Sequence, residues 1–110
     1  MKTKIEVGLT DGNRVLNLDV PTFLLTRLLL TANSGGGKSF LIRRLAEQLC
    51  GIMPVIIIDP EGEFATLREK FNFVLVGKGG ETPADCRSAK LVCHKLLELR
   101  ASAVIDLYDL

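Results

Sequence analysis

Residues 32–40 read Ala32-Asn33-Ser34-Gly35-Gly36-Gly37-Lys38-Ser39-Phe40, three glycines followed by a lysine and a serine. The stretch ends in the Gly-Lys-Ser of the motif G-x-x-x-x-G-K-[ST], with Ala32 where that motif has its first glycine. Consecutive glycines remove Cβ atoms where backbone amides would close around phosphate oxygens. A helix after the loop would direct its N-terminal N–H groups and positive dipole end at the same anion. The stretch therefore predicts a phosphate-binding loop.

The motif assigns a part to each residue of this loop. Lys38 is expected to reach the β- and γ-phosphates of a nucleoside triphosphate, which makes it a candidate catalytic residue as well as a ligand. The hydroxyl of Ser39 is expected to ligate Mg²⁺. The predicted ligand is ATP with Mg²⁺, and the residues predicted to contact it are Asn33, Ser34, Gly35, Gly36, Gly37, Lys38, Ser39 and Phe40.

The sequence on both sides of the loop fits this interpretation. The apolar run Leu28–Leu30 before it is consistent with a central parallel strand. Leu41, Ile42, Leu45 and Leu49 after it fall at helical spacing. A glycine-rich turn that carried Lys-Ser by accident would not need this strand-loop-helix arrangement.

The rest of the chain alternates predicted strands with predicted helices. Such alternation implies an α/β fold with a parallel sheet flanked by helices. A short hairpin with a turn at Asp11–Asn13 precedes it. The hairpin strands are predicted at 5–7 and 15–20, the later strands at 55–58, 73–76 and 103–107, a short helix at 65–70, and a further helix starting at 82–85.

Three acidic residues, Asp59, Glu61 and Glu63, follow the apolar strand Val55–Ile58. At the carboxyl end of a parallel strand they would lie near a bound triphosphate. Asp59 is then a candidate metal ligand and Glu63 a candidate catalytic residue that polarises the attacking water. The alternatives are that Asp59 and Glu63 cap the next helix or brace the loop, that Asp59 binds a ribose as in dinucleotide folds, and that Glu61 is simply solvated.

Composition limits the remaining possibilities. The chain has 110 residues, 47% of them hydrophobic, which suits one small domain with an aliphatic core. The net charge of +1 provides no basic surface of the kind that binds nucleic acid. Three cysteines at irregular spacing match neither a disulfide framework nor a zinc motif. With no signal peptide and no apolar run long enough for a bilayer, a cytoplasmic location without membrane insertion is expected.

The glycine-rich loop and the acidic loop together resemble the HerA/FtsK-type group of P-loop ATPases, especially the HerA-like DNA-translocating helicases. The resemblance rests on Thr26–Leu30, on Asn33–Ser39, and most distinctively on Pro54-Val55-Ile56-Ile57-Ile58-Asp59-Pro60-Glu61-Gly62-Glu63-Phe64. Ser102–Leu107 is similar to a later strand of the group, so that the resemblance covers residues 15–110. The first loop glycine, replaced by Ala32, departs from the pattern.

This resemblance implies a ring motor, a hexamer of identical subunits, that moves double-stranded DNA at the expense of ATP. It implies that residues 1–20 are the end of an N-terminal β-region and that residues 21–110 are the N-terminal part of the ATPase domain. Asp106 follows an apolar strand, but Leu107 rather than Glu comes next, and the resemblance places the metal-binding acid of the motor on a later strand. We therefore expect this chain to bind nucleotide with little turnover, and the full-length protein to hydrolyse ATP.

Two other functions stay open from the residues alone. A nucleotide-binding regulatory module would use the same phosphate loop without mechanical work. A small-molecule kinase would use Asp59 to bind the acceptor, although the chain lacks the arginine cluster expected of a kinase lid.

Overall fold

The computed structural model describes residues 4–33 and 37–108, in two compact units that comprise residues 1–52 and 53–110. Residues 34–36, which belong to the predicted phosphate loop, lie outside the described residues. The architecture confirms an α/β fold in which an antiparallel hairpin precedes a parallel sheet with flanking helices.

The first unit begins with the predicted hairpin. Strand β1 (Lys4–Leu9) pairs antiparallel with strand β2 (Val15–Asp19). Asn13 adopts a positive φ of 57° in the turn between them, a conformation that asparagine tolerates better than most residues. The register shifts between Glu6 and Gly8, so β1 carries a bulge beside Glu6.

A short helix, α1 (Val20–Leu25), follows β2 directly, where we predicted that Pro21 only closes the strand. Asp19 is its N-cap, because the Asp19 carboxylate accepts hydrogen bonds from the Thr22 amide (3.2 Å) and the Thr22 hydroxyl (2.6 Å). These bonds, the hydroxyl first, hold the pKa of Asp19 below its usual range. An acid at the N-cap with proline in the first helical turn is a helix-start signal that the strand pattern concealed.

The predicted strand at Leu28–Leu30 is wrong: residues 27–33 form neither helix nor strand. Leu29 is 85% exposed and Leu28 is 49% exposed, so neither has the burial that a central strand would give it. An apolar run shows that a segment would gain from burial, but it becomes a strand only where another strand offers its N–H and C=O groups.

Helix α2 (Lys38–Leu49) matches the prediction and packs on the hairpin. Its buried face comprises Leu45, Ala46 and Leu49. The side-chain amide of Gln48 bonds with the main chain of β1, since its oxygen accepts from the Glu6 amide (2.9 Å) and its nitrogen donates to the Glu6 carbonyl. Gln48 thus satisfies both polar groups of a strand residue next to the bulge, and so joins α2 to the hairpin.

The second unit is built on a three-stranded parallel sheet. Strands β3 (Ile56–Asp59), β4 (Phe73–Val76) and β5 (Ser102–Asp106) lie in the order β3-β5-β4. In this register Asp59, at the end of β3, is paired with Asp106, at the end of β5. The parallel sheet that the alternation of elements predicted is therefore present.

Helices cover this sheet. A 3₁₀ helix (Ala65–Glu69) contributes the fully buried Leu67, close to where a short helix was predicted. Helix α3 (Ala89–Leu99) packs Leu96 against Val76 and Ala103. Helix α3 starts later than predicted, because residues 86–88 form a turn in which the Asp85 carboxylate accepts a hydrogen bond from the Arg87 amide (2.9 Å). Proline and aspartate at 83–85 thus mark a turn rather than the helix start.

The loop after β4 folds back onto that strand. The amide of Leu75 donates to the Glu81 carboxylate (2.7 Å), and the Glu81 amide donates to the Leu75 carbonyl (2.9 Å). Arg68 lies 3.3 Å from the same carboxylate. The Leu75 amide above all, then the Glu81 amide and the charge of Arg68, lower the pKa of Glu81 below its usual range.

Within residues 4–33 and 37–108, no helix is both long enough and apolar enough to cross a bilayer.

Candidate functional site

Helix α2 starts at the lysine of the glycine-rich motif, and a glycine makes that start possible. Gly37 is the N-cap with φ 83° and ψ 13°, in the left-handed region that side chains disfavour. A Cβ built on Gly37 would meet nothing within 4 Å, so the requirement for glycine comes from backbone conformation rather than crowding. The carbonyl of Gly37 accepts the first helical hydrogen bond, from the Leu41 amide (3.0 Å).

The N-terminus of α2 has the features of an anion site. An N-cap serine or aspartate would normally place an oxygen over the first-turn amides, but Gly37 has no side chain and provides no such cap. The amides of the first turn lack intrahelical acceptors, and the helix dipole places positive charge there. Phosphate oxygens can accept from such amides, so the residues present fit a bound phosphate group.

Four of the predicted ligand residues, Gly37, Lys38, Ser39 and Phe40, lie at this helix start. Lys38 and Phe40 are exposed, and Ser39 is half-buried. No ion pair engages Lys38 among residues 4–33 and 37–108. The lysine ammonium is thus available to an anion at the N-terminus of its own helix. Asn33 is described and exposed, whereas Ser34, Gly35 and Gly36 lie outside the described residues.

The acidic loop of the second unit is organised by Asp59. The Asp59 side chain is buried with 1% exposure, and its two oxygens accept hydrogen bonds from the amides of Glu63 (3.1 Å) and Phe64 (2.9 Å). Asp59 therefore braces the loop, one of the roles that the sequence left open. Glu61 and Glu63 are exposed on the same loop. The carboxylate of Glu63 is therefore accessible to solvent at the carboxyl end of the sheet.

The fit of Asp59 to a metal ion depends on what its carboxylate can still accept. Each carboxylate oxygen has two lone pairs, so an oxygen bonded to one amide can accept a further hydrogen bond, for example from water around a cation. Mg²⁺ usually keeps several waters and takes only one or two carboxylates from the protein. Among the described residues, no group of three His, Cys, Asp or Glu side chains could hold a metal ion by itself. The Asp59 carboxylate thus keeps acceptor capacity beyond its two loop amides.

Asp106 is a residue of this edge whose structural role sequence reasoning missed. It ends β5 beside Asp59, and its Oδ1 accepts a hydrogen bond from the Tyr108 amide (2.9 Å). The glycines of two neighbouring loops, Gly62 and Gly77, approach it closely. The signal was present in the sequence as an apolar strand ending in an acid, but loop contacts cannot be read from such a pattern.

A glycine-started helix that presents Lys-Ser, and a parallel sheet whose carboxyl ends carry acids, define the class of P-loop-type α/β proteins. The chain belongs to the family described as the helicase HerA central domain, whose sequence model it matches over residues 5–109. No significant match is found among curated proteins or among solved structures. Membership of this family indicates an ATPase- or helicase-type module that uses a nucleotide.

Proposed function

We propose that this chain is the ATP-binding module of a HerA-like DNA-translocating ATPase, which in the full-length protein couples ATP hydrolysis to movement of double-stranded DNA. One observation carries the nucleotide-binding part: α2 starts at Lys38 behind a glycine N-cap in the left-handed conformation. That geometry leaves the first turn of a 12-residue helix without a side-chain cap and places a lysine and a serine there.

The proposed residue roles follow from this geometry and from the motif. The loop Asn33–Phe40 would hold the phosphates, Lys38 would neutralise their charge, and the Ser39 hydroxyl would serve as a ligand of Mg²⁺. In the acidic loop, Asp59 would help to hold the cation, and Glu63 would accept the proton of the attacking water. Bound Mg²⁺ would supply charge neutralisation of the transferring phosphoryl group.

The partners proposed for the whole protein rest on the family. The family is described as the central domain of a helicase, which supports a nucleic-acid partner. We propose duplex DNA as that partner and a hexameric ring of identical subunits as the assembly. The net charge of +1 adds no support for DNA contact by this segment itself, so we assign that contact to the full-length protein. We also propose a cytoplasmic location and a domain boundary near residue 20.

Calorimetric titration with Mg²⁺ and ATP tests the phosphate loop. Lys38→Ala removes the ammonium from the N-terminus of α2, and because one charge-assisted contact is lost we expect affinity to fall about 10- to 100-fold. Lys90→Ala is the matched control, since Lys90 is also an exposed lysine in the first turn of a helix, α3. Circular dichroism should show the wild-type fold in both variants.

Two results would overturn the proposal. Equal affinities for ATP in the wild type and in Lys38→Ala would remove Lys38 from the site. Equal losses in Lys38→Ala and Lys90→Ala would show that general positive charge, rather than the helix start, attracts the nucleotide.

A further inference from the structure

Three loops meet at Asp106. The loop after β3 reaches it through Gly62, the loop after β4 through Gly77, and the turn after β5 begins with it. A Cβ on Gly77 would lie 3.0 Å from both the Cβ and the carbonyl oxygen of Asp106, so the main chain of the second loop touches this residue directly. Gly77 has φ 146°, a conformation that itself favours glycine.

The side chain of Asp106 lies against the acidic loop. A Cβ on Gly62 would lie 3.5 Å and 3.6 Å from the two carboxylate oxygens of Asp106, and 3.3 Å from the Cβ of Tyr108. Gly62 has φ 70°, a conformation that side chains disfavour, so the backbone itself favours glycine at this turn. The carboxylate of Asp106 and the Cβ of Tyr108 thus pack directly against the loop where it turns at Gly62.

Hydrogen bonds hold Asp106 and Tyr108 in this position. The Asp106 carboxylate accepts from the Tyr108 amide (2.9 Å), which fixes Tyr108 next to Gly62. The Leu107 amide donates to the Asp59 carbonyl (3.0 Å), which ties the same turn to the end of β3. The residue after Gly62 is Glu63, whose amide donates to the Asp59 carboxylate. Asp106 and Asp59 therefore both contact the loop at its turn.

We propose that Asp106 is a positioning residue: it fixes the turn at Gly62 and so determines where Glu63 is placed. The catalytic consequence rests on the function proposed for Glu63 above. The structural consequence, an ordered loop after β3, stands without it.

Hydrogen exchange of the backbone amides tests the proposal in the unliganded chain. Asp106→Ala removes the acceptor of the Tyr108 amide and opens space beside Gly62, so the amides of Glu63 and Phe64 should exchange about tenfold faster. Asp106→Asn keeps an oxygen for the Tyr108 amide and should restore slow exchange. Unchanged exchange at Glu63 and Phe64 in Asp106→Ala would overturn the proposal.

A matched control is present in the same unit. Asp85 also accepts a hydrogen bond from the amide two residues later, that of Arg87 (2.9 Å). Asp85→Ala therefore removes the same local motif elsewhere, and Glu63 and Phe64 should keep their wild-type exchange rates. Faster exchange there in Asp85→Ala would show that any such loss loosens the loop, which contradicts a specific role for Asp106.

A reciprocal variant covers the case in which Asp106→Ala does not fold. In Gly62→Ala the new methyl group would lie 3.3 Å from the Tyr108 Cβ and in contact with the Asp106 carboxylate, so the Tyr108 amide, whose hydrogen bond this carboxylate accepts, should exchange about tenfold faster. An unchanged rate at Tyr108 would contradict the coupling.

Kinetics then separate this inference from the proposed function. In the longest product of the gene, Asp106→Ala should lower kcat while the KM for ATP stays within about twofold, because only the placement of Glu63 changes. A wild type that binds no nucleotide would refute the proposed function and leave the exchange results intact. A lower kcat without faster exchange at Glu63 would refute the inference alone.

Discussion

At the scale of single residues, short polar contacts to the main chain determine the local conformations of the site. Gly37 permits the backbone turn into α2, and Asp59 satisfies two loop amides that would otherwise lack partners. Buried main-chain N–H groups without partners are costly, so each such carboxylate stabilises one defined loop conformation. Glu81 does the same for the loop after β4.

Glu81 yields a prediction about acid stability. The Leu75 amide lowers the pKa of Glu81, so its carboxylate favours the folded state above the unfolded pKa, about 4.3. That stabilisation should disappear as the pH falls through the lower pKa of the folded state. We therefore expect urea denaturation midpoints of Glu81→Gln to fall less steeply than those of the wild type below about pH 4.3.

Salt distinguishes the causes of this pH dependence. Because a backbone hydrogen bond contributes most and the charge of Arg68 less, the steep fall of the wild type should persist at roughly 0.5 M salt, where exposed ion pairs are screened. Equal slopes for the wild type and Glu81→Gln would contradict the assignment.

Residue roles were only partly predictable from the sequence. The motif predicts the lysine at the helix start, because Gly-Lys-Ser after a glycine-rich loop is typical of a phosphate-binding loop that opens a helix. It cannot decide between metal binding and loop bracing for Asp59, because that depends on the amides of Glu63 and Phe64, four and five residues later. The contacts of Asp106 with Gly62 and Gly77 come from three separate loops and leave no local pattern.

At the scale of elements, the strands and helices were predictable where burial alone determines them. β4 has the predicted bounds, Phe73–Val76. A short apolar run of four residues between turns is typical of a buried strand. The apolar run Leu28–Leu30 is not a strand, since apolar character alone does not provide a pairing partner. α1 was missed because the alternation of β2 was extended across its N-cap, Asp19.

Gln48 permits a test of how α2 is held. Its side chain bonds to both the amide and the carbonyl of Glu6, so Gln48→Ala should lower the free energy of unfolding by about 1–3 kcal/mol. Glu47→Ala, which removes only the exposed ion pair with Arg43, should cost about 0.5 kcal/mol or less. Urea denaturation measures both, and equal effects would show that Gln48 does not anchor the helix.

At the scale of the whole molecule, family membership adds an ATPase- or helicase-type activity to the phosphate site that the start of α2 supports. The match over residues 5–109 includes both the hairpin and the parallel sheet. The sequence resemblance anticipated the family because the loop around Asp59 is distinctive, whereas DNA movement requires a measurement.

The motor function predicts that DNA stimulates ATP turnover by the longest product of the gene. Glu63→Gln should lower that turnover about 100-fold or more while ATP still binds, because the proton acceptor is lost. Glu61→Gln is the matched control on the same exposed loop and should stay near wild type. Turnover that ignores DNA would contradict the motor, and equal losses in both variants would contradict the role of Glu63.

The most direct test of the central claim is a map of amide signals by nuclear magnetic resonance as Mg²⁺ and ATP are added. The phosphates should contact main-chain amides at the start of α2, so the largest shifts should fall within residues 33–40 and should need about 10- to 100-fold more ATP in Lys38→Ala. Largest shifts outside that stretch, or shifts that reach saturation at the same ATP concentration in Lys38→Ala, would contradict a phosphate site at the start of α2.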